Sequence, residues 1–372
     1  MTTDARGLYV HIPFCRSKCN YCDFCSYPGR FDTEIDAYID RLLSEAEQYG
    51  RGGRLPIDTV YLGGGTPSLL SPRQLDRIFS ALYRLFSIAP DAEITMEANP
   101  GTLTSDAARE YFSLGVNRVS LGLQSASERE LRALGRIHTF PDFLNSFELL
   151  RGVGFANISI DLMYGIPHQT PDSFRETLSR VVALAPEHIS AYGLIVEEGT
   201  PFYDCRDTLP LPTEDEECEM YGIAAEYLRD GGYRHYEISN YAKPGFESRH
   251  NLKYWRDEEY IGIGAAAYSY FLGKRYGNPR SLDLYMASAP VEGLDIPKGE
   301  DEEFEYAMMH LRLSEGIDLA SFERRFGKSF TKGKEDKLRR YLSMGLLTYD
   351  EKRVALTERG FYLSNAIMAD IL

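Results

Sequence analysis

No stretch of the 372-residue sequence approaches the ~20 consecutive apolar residues that a membrane-spanning helix needs. Nor does the chain open on an apolar segment with basic residues ahead of it and a small-residue cleavage site behind it. A spanning segment and a secretory signal are thereby excluded, and the expectation is a soluble, cytoplasmic protein. An excess of positive charge is missing as well. The 41 Lys and Arg stand against 56 Asp and Glu, a net charge of −15, so the basic face of a general nucleic-acid binder is absent and no nucleic-acid partner is expected. No internal repeat or low-complexity tract interrupts the chain. In a reducing compartment the six cysteines are poor candidates for disulfides, and four of them crowd into residues 15–25, which points to metal or redox chemistry.

What is present is enough apolar residue, 43%, for a packed core, in a chain longer than one ordinary domain. Six segments rich in β-branched and aromatic residues recur at 8–14, 58–65, 93–100, 118–125, 157–167 and 188–197, with helical patterns between them. Ser71 with Pro72, and Thr170 with Pro171, have the chemistry of helix N-caps followed by proline in the first turn. The acidic run 213–219 suits the start of another helix, where carboxylates meet the positive end of the dipole.

Strands alternating with helices predict an α/β fold with a parallel sheet, most economically a complete or partial (β/α) barrel; an open doubly wound sheet is the alternative. In either fold ligands bind at the C-terminal ends of the strands, where Gly63 to Thr66, Glu97, Gln124 and Asp161 fall. After about residue 290 the pattern changes to three helices, two short strands around a tight turn and a last helix, a small winged-helix-like module. Its 12 Lys and Arg against 13 Asp and Glu over 301–372 favour a protein or substrate contact over a DNA-binding wing. The expected division is a barrel domain over 1–240 with a cysteine loop at 15–25, a connecting segment over 241–295, and the C-terminal module over 296–372.

Cys15, Cys19 and Cys22 form a C-x3-C-x2-C motif directly after a predicted strand. Three thiolates on a [4Fe–4S] cluster leave one iron open to a small molecule. A structural zinc site needs four ligands, and Cys25 or His11 could supply the fourth, so spacing alone keeps that reading open. The triplet Gly63-Gly64-Gly65, followed by Thr66 and Pro67, permits close backbone approach after a strand; by itself it is an ordinary turn.

The run from Tyr9 through His11 and Phe14 to Cys15, with the cysteine motif and the glycine triplet, closely resembles the radical-SAM family of oxygen-independent coproporphyrinogen III oxidases and their relatives. The similarity continues through Glu97 in Met-Glu-Ala-Asn-Pro, Gln124 in Gly-Leu-Gln-Ser, Arg136 in Leu-Gly-Arg-Ile-His and Asp161 in Ile-Asp-Leu-Met-Tyr-Gly-Ile-Pro. The resemblance implies a radical-SAM barrel in which the cluster's open iron holds S-adenosylmethionine by its amine and carboxylate. It further implies that Tyr9, Gly64, Gly65, Thr66, Glu97, Gln124, Arg136 and Asp161 line the S-adenosylmethionine site. Carboxylates and an amide suit ribose hydroxyls and an ammonium, and an arginine suits a carboxylate.

Two features sort the chain within this family. The coproporphyrinogen dehydrogenases resemble one another in a further cysteine two positions after the third and in a long extension before the cluster; here that position is Phe24, and 14 residues precede Cys15. Cys22-Asp23-Phe24 and His250-Asn251-Leu252-Lys253-Tyr254-Trp255 instead resemble the HemW haem chaperones, which carry H-N-x-x-Y-W. That likeness implies haem as a third ligand, with His250 as its candidate axial ligand beneath Tyr254 and Trp255. It also implies haem-accepting protein partners, respiratory ones among them, with contact at a membrane surface left open and coproporphyrinogen III dehydrogenation not expected. The competing expectations are radical decarboxylation of coproporphyrinogen III and radical attack on another tetrapyrrole. For the 250–255 segment the structural alternative is packing of the barrel against the terminal module.

Overall fold

The computed structural model describes residues 5–288, 291–294 and 298–372. Seven parallel strands form its centre: β1 (Arg6–Ile12), β2 (Leu55–Gly64), β3 (Phe86–Ala98), β4 (Arg118–Gln124), β5 (Ile158–Tyr164), β6 (His188–Gly193) and β7 (Tyr260–Ile263). They lie in the order β7-β1-β2-β3-β4-β5-β6. Asn240–Ala242 and Arg234–Glu237 extend the sheet antiparallel beyond β6, while Tyr268–Phe271, Lys274–Gly277 and Glu292–Leu294 extend it beyond β7. The sheet does not close on itself among the described residues, so the barrel is the partial form. Residues 241–295, expected to connect two domains, thus also complete the sheet, and β7 pairs directly with β1 through Leu8 and Ile261.

The strands show why one sequence can carry both a core and a site. Side chains alternate across a strand. One set, including Leu8, Val10, Ile12, Val60, Leu62, Met96, Val119, Leu121, Ile160 and Ile189, is wholly buried against the surrounding helices. The opposite set carries polar groups inward: Tyr9, Tyr61, Glu97, Arg118, Ser120, Asp161 and Ser190. Parallel register stacks these into layers, with Glu97 beside Ser120 and Asp161 beside Ser190.

The helices form where the sequence predicts. Ser71 Oγ accepts from Gln74 N while Gln74 Oε1 accepts from Ser71 N, and Pro72 follows in the first turn of Pro72–Leu85. Thr170 and Ser173 exchange the same pair of bonds at the start of Pro171–Ala183. Thr213 caps Glu214–Asp230, placing four carboxylates in the first turn. The longest departure from expectation is β3, which begins at Phe86 because its exposed first half pairs with residues 55–57 of β2.

The C-terminal module has its own core around Leu311, Phe322, Leu338, Val354 and Phe361. Helices Glu300–His310, Leu319–Phe326 and Glu335–Ser343 precede the wing strands Leu347–Tyr349 and Arg353–Leu356, and Ile317–Asp318 joins these as a third strand. The last helix is divided into Glu358–Tyr362 and Ser364–Ile371. Ile238 N donates to Arg312 O at 3.0 Å and Ser314 N to Tyr236 O at 3.0 Å, joining module to barrel. No helix among the described residues is long and apolar enough to cross a membrane.

Candidate functional site

At the C-terminal ends of the parallel strands lies a cavity of about 500 Å3. Cys15, Cys19 and Cys22 line one side of it, and all three thiols are free and partly buried. Burial pushes the thiols of Cys15 and Cys22 up, so a metal that takes them as thiolates displaces protons on binding. Thr66 Oγ1 donates to Cys15 Sγ at 3.4 Å and Arg136 Nη1 to Cys19 Sγ at 3.6 Å. Donors of this kind stabilise thiolates and tune the potential of a cluster they hold. Among the described residues no three His, Cys, Asp or Glu side chains converge as for a single metal ion. Thiolates that bind separate irons have no need to converge.

The glycine triplet shapes the loop opposite. Gly64 has φ +108, and a Cβ there would stand 2.4 Å from the His11 ring. A Cβ on Gly65 would meet Phe14 O at 2.6 Å and Ile12 O at 2.8 Å. Gly65 N donates to Ile12 O and Thr66 N to Phe14 O, so the close approach these glycines permit is first of all to the chain's own backbone where the cysteine loop begins.

Glu97 and Asp161 face the cavity from β3 and β5. Glu97 accepts from Tyr61 OH at 2.8 Å and from Gly64 N at 3.0 Å; burial outweighs both bonds and pushes its carboxyl up to about 7. Asp161 accepts from Ser120 Oγ at 2.9 Å and is likewise raised by burial. Gln124, at the end of β4, has φ 70, a left-handed conformation that a non-glycine residue holds only where its surroundings enforce it. Arg136 Nη2 donates to Asn99 Oδ1 at 2.6 Å and to Gly122 O at 2.7 Å, so its guanidinium links two strand ends to Cys19.

Seven of the predicted ligand-site residues, Gly64, Gly65, Thr66, Glu97, Gln124, Arg136 and Asp161, therefore share one cavity with the three cysteines. Two do not. Tyr9 lines a second, adjoining cavity, and its hydroxyl lies 3.0 Å from His11 Nδ1. His11 Nε2 lies 2.9 Å from Cys25 O; a carbonyl only accepts, so Nε2 carries the proton and Nδ1 accepts from Tyr9. His250 faces neither cavity. It is 1% exposed, its Nδ1 is 2.8 Å from Thr59 Oγ1 and its Nε2 is 2.8 Å from the Tyr254 hydroxyl, and burial lowers its pKa to about 3. Expected as an axial ligand, it is here a neutral imidazole with both nitrogens engaged, because the Arg249–Trp255 helix turns it inward under β2. Trp255 lies beneath Arg312 at 5.9 Å, at the junction with the C-terminal module.

Sequence reasoning missed Asn99, Arg118, Ser120, Ser190 and Tyr192, which also line the cavity. Arg118 is the most consequential: it is 2% exposed and its Nε has no hydrogen-bond partner. An unpaired buried guanidinium is costly, and a ligand acceptor beside it would offset that cost. The signal was the strand alternation itself, since Arg118, Ser120 and Gln124 have the same parity along β4.

The sequence matches the radical SAM superfamily over residues 9–181 and the HemN C-terminal domain over residues 299–363. It is 37% identical to the haem chaperone HemW of Lactococcus lactis, covering 100% of this chain and 98% of that one. It is 35% identical to HemW of Bacillus subtilis, over 99% of both, and 35% identical to HemW of Escherichia coli, over 97% of both. Among solved structures, coproporphyrinogen III oxidase (HemN) from Escherichia coli, a radical SAM enzyme, superposes with a TM-score of 0.86 at 25% identity, over 98% of this chain and 89% of that one.

Proposed function

The chain belongs with the HemW haem chaperones within the radical SAM superfamily, and from that premise we propose that it is a haem chaperone that passes its haem to haem proteins. It binds three groups: a [4Fe–4S] cluster, S-adenosylmethionine and haem. The observation that carries the reading is 35–37% identity to several HemW proteins over nearly the whole length of the chain; Phe24, where the family resemblance implies a cysteine in the dehydrogenases, supports it.

The cavity supports the assignment of roles. Cys15, Cys19 and Cys22 hold the cluster. When bound, the cluster supplies one open iron for the methionine group and an electron for the sulfonium. Arg136 and Thr66 donate to the thiolates, Glu97 and Asp161 accept from the ammonium and ribose hydroxyls, and Gln124 orients the nucleoside. The Gly64–Thr66 backbone fixes the mouth of the cysteine loop. Protein acceptors, respiratory haem proteins among them, are the partners of this reading, and the cytoplasm is its location.

Anaerobic cluster reconstitution followed by haem titration and a coproporphyrinogen III turnover assay tests it. Haem binding without turnover is the expected result. Multiple-turnover formation of protoporphyrinogen would restore the oxidase reading, which the fold match to HemN keeps as the alternative.

A further inference from the structure

A second cavity, of about 360 Å3, adjoins the first, and Asp23 and Phe24 line both. Its walls are rings: Tyr9, Tyr254, Tyr260, Tyr268 and Phe24. Phe24 is 68% exposed and Tyr268 is 48% exposed, so two large rings stand uncovered at one opening. Exposed apolar surface gathered at a concave site marks a binding face, and aromatic walls interspersed with polar groups, here Asp23, Cys25 and Arg280, suit a flat ring system that also carries polar substituents.

The hydrogen bonds around this cavity show which group is left to hold such a guest. Tyr9 and His11 bond each other, His11 also bonds Cys25 O, and the Tyr254 hydroxyl bonds His250. Cys25 Sγ only donates to Arg280 O, at 3.0 Å, a weak bond for a thiol. Cys25 supplies the one thiol among the lining residues, and haem iron takes a cysteine thiolate as an axial ligand. Arg280 sits beside it with its side chain 61% exposed, paired with Asp23 at 3.2 Å. An exposed pair of this kind is weak and readily exchanged for another carboxylate.

Resting on the haem-chaperone reading, we propose that haem docks in this second cavity, with Cys25 as the axial ligand, Phe24 and Tyr268 against the porphyrin face and Arg280 on a propionate. Ligation to ferric iron forms an Fe–S bond, breaks the Cys25 S–H bond and releases the proton to solvent, with no change in oxidation state. Arg280 exchanges the Asp23 carboxylate for the propionate. Residues 23–24 then separate the haem from the cavity of the three cluster cysteines, so one loop serves both. His250 acts from behind the wall by fixing the Tyr254 hydroxyl.

Ferric haem carrying an iron isotope label is titrated into the cluster-reconstituted protein and into its Cys25→Ser, Phe24→Ala and Arg280→Gln variants. Iron and sulfide contents, Soret position, affinity and the isotope-sensitive Fe–S stretch in resonance Raman spectra are recorded for each. The wild type is expected to show the Fe–S stretch and Cys25→Ser to lose it with a displaced Soret band. Phe24→Ala and Arg280→Gln are expected to bind more weakly, the latter by about two- to fivefold, as an exposed ion pair allows. Haem dimethyl ester, which has no free propionate, is expected to bind wild type and Arg280→Gln alike. Wild-type protein that binds haem without an Fe–S stretch, or a Cys25→Ser variant with unchanged spectrum and affinity, overturns the site and leaves the chaperone reading standing. Wild-type protein that binds no haem overturns both. Should Cys25→Ser lose its cluster, the Arg280→Gln and ester titrations decide: equal loss of haem and ester affinity in Arg280→Gln rejects the site.

Discussion

The two cavities share a wall at residues 23–24 and differ in the functional groups they present. The first is lined by charged and hydrogen-bonding groups on successive parallel strands, with Glu97, Arg118, Asp161 and Arg136 around three thiols. The second is lined by four tyrosines, Phe24, His11, Ala266, one thiol and the Asp23–Arg280 pair. The first suits a compact ligand with an ammonium, a carboxylate and hydroxyls; the second suits a flat ring system. A chain that handles two such ligands can keep them apart by presenting different residues of one short loop to each side. Cys22 faces the first cavity, Cys25 the second, and the two lie three residues apart.

The comparison is broken most completely at the cysteines. Cys19→Ala is expected to abolish the broad visible absorbance and most of the iron and sulfide of the reconstituted protein, whereas Cys25→Ala keeps most of both. Near-normal iron and sulfide in Cys19→Ala would defeat the division.

Asp161→Ala is expected to leave the cluster in place and weaken S-adenosylmethionine binding by roughly 1.5–3 kcal/mol, about 10- to 150-fold, the loss of one charge-assisted hydrogen bond. Equilibrium dialysis with labelled ligand reads this, and unchanged affinity removes Asp161 from the first cavity's function.

A titration sharpens the same contrast. Glu97 is pushed up to about 7 by burial. In the ligand-free protein its neutral form is favoured, so ionisation between its ordinary value and about 7 lowers stability as pH rises. A cationic ligand favours the ionised carboxylate, so S-adenosylmethionine affinity is expected to fall about tenfold from pH 8 to pH 6, with Glu97→Gln flattening that profile. A wild-type profile as flat as that of Glu97→Gln would place the carboxylate away from the ligand's positive charge.

The smallest effect lies outside both cavities. The Arg312 guanidinium sits over the Trp255 ring at 5.9 Å, at the junction with the C-terminal module. Trp255→Ala is expected to cost about 0.5–1 kcal/mol of unfolding free energy through loss of that cation–π contact, read as a lower denaturant midpoint. Loss of haem affinity with no change in midpoint would instead bring the 250–255 segment into the haem site.

Much of this was legible in the chain. The C-x3-C-x2-C spacing, the glycine triplet, the caps at Ser71 and Thr170 and the six parallel strands are local properties, written within a few residues of one another. Seven of the expected ligand-site residues meet in one cavity because six sit in short motifs at strand ends, which a parallel fold brings together, and Arg136 reaches back to them from the loop after the Glu128–Ala133 helix. Arg118 escaped notice because it begins its strand and is distinguished only by facing inward with Ser120 and Gln124.

The sequence by itself determined the fold class, the C-x3-C-x2-C spacing and the end of the sheet at which the expected site residues gather, because periodicity and spacing act over one or two turns of backbone. Only the tertiary structure decided what each buried residue faces. His250 turns under β2 to bond Thr59 and Tyr254, Tyr9 belongs to the second cavity, and Cys25 points away from the three cysteines beside it. Those outcomes depend on the pairing of β1 with both β2 and β7, strands drawn from residues 55–64 and 260–263. Such pairing is set by the packing of the whole sheet, and no local stretch of sequence encodes it.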